Sequence, residues 1–195
     1  MGWEETRAEA IRLPETAAAL PREDAYAMAR AAHLLTYLGR QYDLGKELAD
    51  HAVALNPSLG FAGLARGWVY VTLGEGKPAI ESSSSVLRLD PLDPSRPIAW
   101  TGLACAHNVL AEYDKGYEWA RKATEAVPAM NTSAYFVINA VPYGRVEEAR
   151  EIVAKMLKLR PDLTVSDALG FCHVRDQEWT ERPSSASDPT RNQPS

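Results

Sequence analysis

Apolar residues recur along this chain at three- and four-residue spacing, in runs of a dozen or so positions separated by Gly- or Pro-bearing breaks. That spacing places one greasy stripe on a helix, as in Leu48, Ala52 and Leu55 or Ile152, Met156 and Leu159. Four such stripes end at a proline: Pro57, Pro91, Pro128 and Pro161, spaced 34, 37 and 33 residues apart. Twelve residues before each proline stands a small residue, Gly45, Ala79, Gly116 or Ala149. Two landmarks holding one offset through four copies define an internal repeat.

Each copy carries two amphipathic patterns. First helices are predicted over 24–37, 60–73, 97–110 and 131–141, and second helices over 43–55, 77–89, 114–126 and 147–159. Gly39, Gly74 and Gly144 fall in the breaks between the two, where a left-handed residue ends a helix. The prolines stop the second helices and reset the chain. An antiparallel pair of this size cannot bury its own apolar face, but stacked pairs can. The expected architecture is therefore all-α, an α-solenoid of stacked antiparallel helix pairs. Its four copies run over about 24–57, 58–91, 95–128 and 129–161. The long second spacing comes from Asp90–Pro97, whose three prolines predict a stiff connector. Residues 1–21 are expected to form a degenerate half copy, residues 162–182 a capping segment, and residues 183–195 a disordered tail without aromatics or large aliphatics.

The chain resembles the tetratricopeptide repeat (TPR) family. The third copy carries Trp100, Leu103, Ala104 and His107, then Gly116, Ala120, Ala123 and Pro128. The second carries Gly67, Tyr70, Ala79, Val86 and Pro91, and the fourth Phe136, Ala140, Ala149, Met156 and Pro161. Departures from the pattern are Gly45 and Gly116 where Ala is usual, and Ser83 where a large apolar residue is usual. The wording of Leu87–Pro94, Trp100–Ala104 and Arg160–Ser166 also looks like the C-terminal repeats of bacterial class III adenylate/guanylate cyclase-like proteins. The residues before the first pair are too few for those proteins' catalytic or DNA-binding domain. What this resemblance implies is a regulatory repeat region of a nucleotide-cyclase or transcription-regulator system, lacking its effector.

Charge narrows the options further. Twenty-one Lys and Arg against 26 Asp and Glu give a net charge of −5, which suits neither phosphate neutralisation nor an anionic lipid surface. No basic-then-apolar leader opens the sequence, and the apolar runs fall short of the ~20 residues of a spanning helix. The expectation is a cytoplasmic protein with its two cysteines reduced.

Catalytic chemistry finds no constellation. Gly74-Glu75-Gly76-Lys77 lacks the earlier Gly and the following Ser or Thr of a phosphate loop. Cys105 and His107 sit two apart on a helix and point in nearly opposite directions, so they cannot share a metal. Ser82–Ser85 spread around a helix and read as a poorly packed face. No enzyme activity and no cofactor are expected.

The remaining reading is a binding module. In the resembled fold the first helices line the inner curve, and that register selects Arg30, Leu34, Phe61, Leu64, Trp68, Thr72, Ile98, Thr101, Cys105, Asn108 and Asn131 as the groove. Trp68 is either an anchor for a bound segment or a wedge against the next pair. Chaperone-binding relatives grip a C-terminal carboxylate with Lys, Asn and Arg. Here only Arg30 fits, with Leu34, Ala65, Ile98 and Gly102 in the other slots, which argues against that mode. The expected partner is a protein or peptide segment, with self-association open and neither nucleic acid nor membrane involved.

Overall fold

The computed structural model describes residue 12, residues 23–165 and residue 167. Most of the expected N-terminal half copy and capping segment, and the whole tail, lie outside the described residues. Within them the chain forms eight α-helices and no strand. In order these are α1 Ala25–Tyr37, α2 Tyr42–Leu55, α3 Gly60–Thr72, α4 Gly76–Leu89, α5 Arg96–Val109, α6 Tyr113–Ala126, α7 Met130–Ala140 and α8 Val146–Leu159. Every helix begins within one residue of the position that its sequence pattern predicts.

Local chemistry sets the ends. The Asp24 carboxylate accepts from the N–H groups of Tyr26 (2.9 Å) and Ala27 (3.0 Å), two donors that the first turn of α1 leaves free. Pro97 enters the first turn of α5, where its missing N–H costs nothing. Left-handed residues separate the two helices of each pair at Arg40 (φ 54°), Gly74 (φ 76°), Ala111 (φ 57°) and Gly144 (φ 89°). The sequence pointed to Gly39 in the first copy; the left-handed residue is instead its neighbour Arg40. Gly39 is there for space, since a Cβ on it would come within 2.7 Å of the Leu35 carbonyl oxygen. Arg40 and Ala111 thus carry side chains in a conformation that favours glycine, and both are exposed. Arg40→Gly and Ala111→Gly are each expected to raise stability by about 0.5–1 kcal/mol in urea unfolding, despite the larger entropy of the unfolded chain.

The interior extends through the pairs as four clusters, each spanning neighbouring helices. Leu35, Leu48, Ala52, Ala62 and Val69 join α1 and α2 to α3. Leu64, Val86 and Ala99 join α3, α4 and α5. Tyr70, Val71, Ala79, Cys105, Ala106 and Tyr135 reach from the second pair across α5 to α7. Ala104, Tyr117, Ala120, Phe136, Ala140 and Ala149 close the last two pairs. Helix α5 is covered on both sides, and residues 101–108 are all buried.

Small residues permit this stacking, and they account for the departures from the repeat pattern. A Cβ on Gly45 would overlap the Thr36 hydroxyl, and one on Gly116 would overlap the Asn139 side-chain oxygen. In both copies a polar side chain fills the space that alanine would take. Ser83 is 2% exposed and sits between two glycines: Cβ atoms on Gly67 and Gly102 would lie 2.6 and 3.0 Å from its Oγ. Ser82 is also buried; it donates to the Pro78 carbonyl (2.8 Å) and accepts from Arg66 (3.2 Å). The serine run is a close helix contact, not a loosely packed face. Trp100 of the third copy's repeat pattern is half-buried and not a core residue, with the Arg96 guanidinium 5.6 Å from its ring centre.

Polar bridges tie neighbouring pairs together. Asp50 accepts from Arg66 (2.7 Å) and from the Tyr70 hydroxyl (2.9 Å), and Lys46 donates to Glu75 (2.8 Å). Asn108 donates to the Ile138 carbonyl (3.0 Å) and to Asn139 (3.1 Å). The Tyr117 hydroxyl donates to Glu148 at 2.6 Å; burial and then this bond push its pKa up to about 12. The neutral phenol holds the contact, so its stabilisation is complete below pH ~10, the unfolded value, and is lost as pH rises to about 12. Urea unfolding at pH 9 and pH 11 is expected to show a steeper loss for the native chain than for Tyr117→Phe.

Candidate partner-binding cleft

First helices of successive pairs run side by side, so their outward residues form one surface. A cleft of about 420 Å³ lies across α1, α3 and the start of α5. Leu34, Phe61, Leu64, Ala65, Trp68 and Ile98 supply its apolar lining. Arg30 and His33 stand on one side, and Asp93 and Ser95 of the α4–α5 connector on the other. The long connector therefore has a structural consequence: it supplies a cleft wall. Asp93 holds that wall by accepting from the Ser95 N–H and hydroxyl, both at 2.6 Å, while Arg96 donates to the Pro91 carbonyl (2.7 Å).

The residues selected from sequence divide into three groups. Arg30, Leu34, Phe61, Leu64, Trp68 and Ile98 come together in the cleft. Thr72 is buried, donates to the Trp68 carbonyl (2.9 Å) and lines a small void behind that ring. Thr101, Cys105 and Asn108 are each 3% exposed and belong to the interior of α5, not to a free surface. The Thr101 hydroxyl donates to the Pro97 carbonyl (2.7 Å), and Asn108 is committed to α7. Asn131 is exposed but lies outside the lining of this cleft. Register alone placed Thr101, Cys105 and Asn108 on the inner curve because it could not see that α7 covers α5.

Sequence reasoning passed over His33, Asp93 and Ser95. His33 follows Arg30 by three residues and so shares its helix face. Asp93 and Ser95 came into reach through the connector, whose path no periodicity describes.

Trp68 touches both the interior and the cleft. It is half-buried, packs its ring 5.9 Å from that of Tyr135, and still turns a flank to the cleft. Arg30 is exposed, with its guanidinium 5.7 Å from the Phe61 ring centre, and Tyr26 stacks on the same ring at 4.8 Å. Burial, and then the Arg30 charge, lower the His33 pKa, so the imidazole is neutral at pH 7. The cleft thus offers aromatic and aliphatic walls, one cation and a neutral imidazole. Among the described residues no three His, Cys, Asp or Glu side chains lie together as a metal site, and His107 is engaged with Glu112 at 2.6 Å. Nor is any helix among them long and apolar enough to cross a membrane.

No protein-family profile matches the chain, and no curated protein matches it. The likeness to cyclase-like proteins therefore gains no support from relatives. Solved structures do match. TTC0263 of Thermus thermophilus, described as a thermophilic TPR protein, is similar with a TM-score of 0.69 and 20% identity, over 83% of this chain and 86% of that one. MamA from Desulfovibrio magneticus RS-1, residues 41 to the end, is similar with a TM-score of 0.62 and 22% identity, over 81% of this chain and 88% of that one. The fold is a TPR-type α-solenoid. At this identity the likeness speaks for the fold alone. The cleft lies where the successive first helices α1, α3 and α5 stand side by side.

Proposed function

We propose that this TPR array is a non-catalytic interaction module. It receives a segment of another protein in the cleft over α1, α3 and the start of α5. The observation that carries the reading is the cleft itself, an apolar trough built by three successive pairs with Arg30 on its edge. The segment that fits it brings a bulky apolar side chain to the space between Phe61, Leu64, Trp68 and Ile98. Such an anchor dominates the energetics of an interface of this kind. The slots that would need polar side chains to grip a chain-terminal carboxylate hold Leu34, Ala65 and Ile98, all of them in the apolar wall. An internal segment is therefore favoured over a free C-terminus.

Selection of displayed peptides on the full chain tests this. Selected peptides are expected to share a large apolar residue. They should lose at least about tenfold in affinity by calorimetric titration when Phe61→Glu alters the cleft edge, a loss of ~1.4 kcal/mol. Selection that yields no binder, or binders indifferent to Phe61→Glu and Ile98→Glu, would overturn the reading.

A further inference from the structure

Two opposite charges line the cleft, and each is placed by a different piece of chain. Arg30 stands on an exposed face of α1, with its guanidinium 5.7 Å from the Phe61 ring centre. Arg66, Arg121, Arg145, Arg150 and Arg160 are each held by a carboxylate. Arg30 has no such partner among the described residues, so its charge is presented to solvent at the edge of an apolar floor.

Asp93 comes from the α4–α5 connector. Its Oδ1 accepts from both the Ser95 hydroxyl and the Ser95 N–H, at 2.6 Å each. These bonds, the hydroxyl's first, hold its pKa below the usual carboxylate value, so it is ionised at pH 7. Arg96 directs its guanidinium to the backbone carbonyls of Asp93 (3.2 Å) and Pro91 (2.7 Å). Asp93 Oδ2 lies beside the first residue of α3, 4.0 Å from where a Cβ on Gly60 would stand. Gly60 is followed by Phe61, the ring that carries Arg30, so the two charges flank one end of α3. Roughly one helix diameter, ~10 Å, separates such walls. An extended segment covers that span in about three residues at ~3.3 Å each. The rest of the lining is uncharged at pH 7, His33 included.

Each charge also excludes. A segment acidic throughout meets Asp93 and a chain of net charge −5, and a segment basic throughout meets Arg30. Resting on the binding reading above, we propose that the cleft selects a protein segment of mixed charge. Its carboxylate faces Arg30, its bulky apolar side chain covers Phe61 and Trp68, and its Lys or Arg faces Asp93. The charges set partner choice and register more than strength.

Peptide display on the full native chain, on Arg30→Gln and on Asp93→Asn tests the assignment. Asparagine at 93 keeps the side-chain oxygen that Ser95 bonds. Peptides selected on the native chain are expected to carry an acidic and a basic residue on opposite sides of the large apolar one, about three positions apart. Changing the acidic residue of such a peptide to Gln should cost about two- to fivefold in affinity, and that loss should vanish on Arg30→Gln. The basic residue should behave likewise toward Asp93→Asn. Lys158→Gln, which removes a charge on α8 outside the cleft, should change neither loss. Peptides that need Phe61 but bind equally well without their charges, or that carry one sign of charge throughout, would overturn this inference and leave the binding reading standing. Selection that yields no peptide at all would overturn both.

Discussion

Replacing Gly116 with alanine is expected to destabilise the array by about 2–3 kcal/mol, seen as a fall in thermal midpoint of roughly 5–10 °C. The sign is the informative part. In an exposed helix interior the same change stabilises by ~1 kcal/mol. Here a Cβ at residue 116 would occupy the place of the Asn139 side-chain oxygen. Asn139 is fully buried, donates to the Tyr135 carbonyl (2.9 Å) and accepts from Asn108. If it moves, buried polar groups lose partners, and each such loss costs ~1–3 kcal/mol. Asn139→Ala alone should cost less, since Asn108 keeps the Ile138 carbonyl at 3.0 Å. Adding Gly116→Ala to Asn139→Ala should then be neutral or stabilising. A double-mutant cycle of urea unfolding that gives simple additivity would contradict the proposed overlap.

Ser83→Leu should be more damaging still. It restores the large apolar residue that the repeat pattern favours, and by hydrophobicity alone it ought to help. The structure reverses that expectation, because Ser83 fills a contact among three helices with Gly67 and Gly102 pressed against it. The larger leucine side chain cannot be accommodated without separating α4 from α3 or α5. Overpacking of this kind costs ~3 kcal/mol or more. Because each pair leans on the next, the loss should also loosen the third and fourth pairs, visible as a broadened transition in urea. Ser83→Ala should be tolerated, and an equal loss for Ala and Leu would show that the hydroxyl, not the space, matters.

The two cases mark what the chain makes legible. Repeat length, pair order and helix starts were readable because prolines, glycines and apolar spacing act locally. A helix ends at Pro57 or Pro161 whatever lies beyond it. Much of the cleft was also readable, because Arg30, Leu34, Phe61, Leu64, Trp68 and Ile98 follow from helical register on three successive first helices. What failed were statements that depend on a third element. Asn108 and Thr101 share the register of groove residues, yet both are buried, Asn108 with its amide bonded to α7 and Thr101 with its hydroxyl on the Pro97 carbonyl. Gly45, Gly116 and Ser83 looked like weaknesses until the side chains of Thr36, Asn139 and the facing glycines were placed. Asp93 and Ser95 entered the cleft through the path of a connector, which no period describes.

Native-state hydrogen exchange of the full chain tests the shared interior most directly. Slowest exchange is expected in α5, over residues 102–108, which is covered on both sides, with protection declining toward α1 and α8. Ser83→Leu is expected to lower protection in α5 to α8 together, although the substitution lies in α4. Protection that stays intact in α5 to α8 of that variant would mean that the pairs fold separately, and would contradict a continuous core.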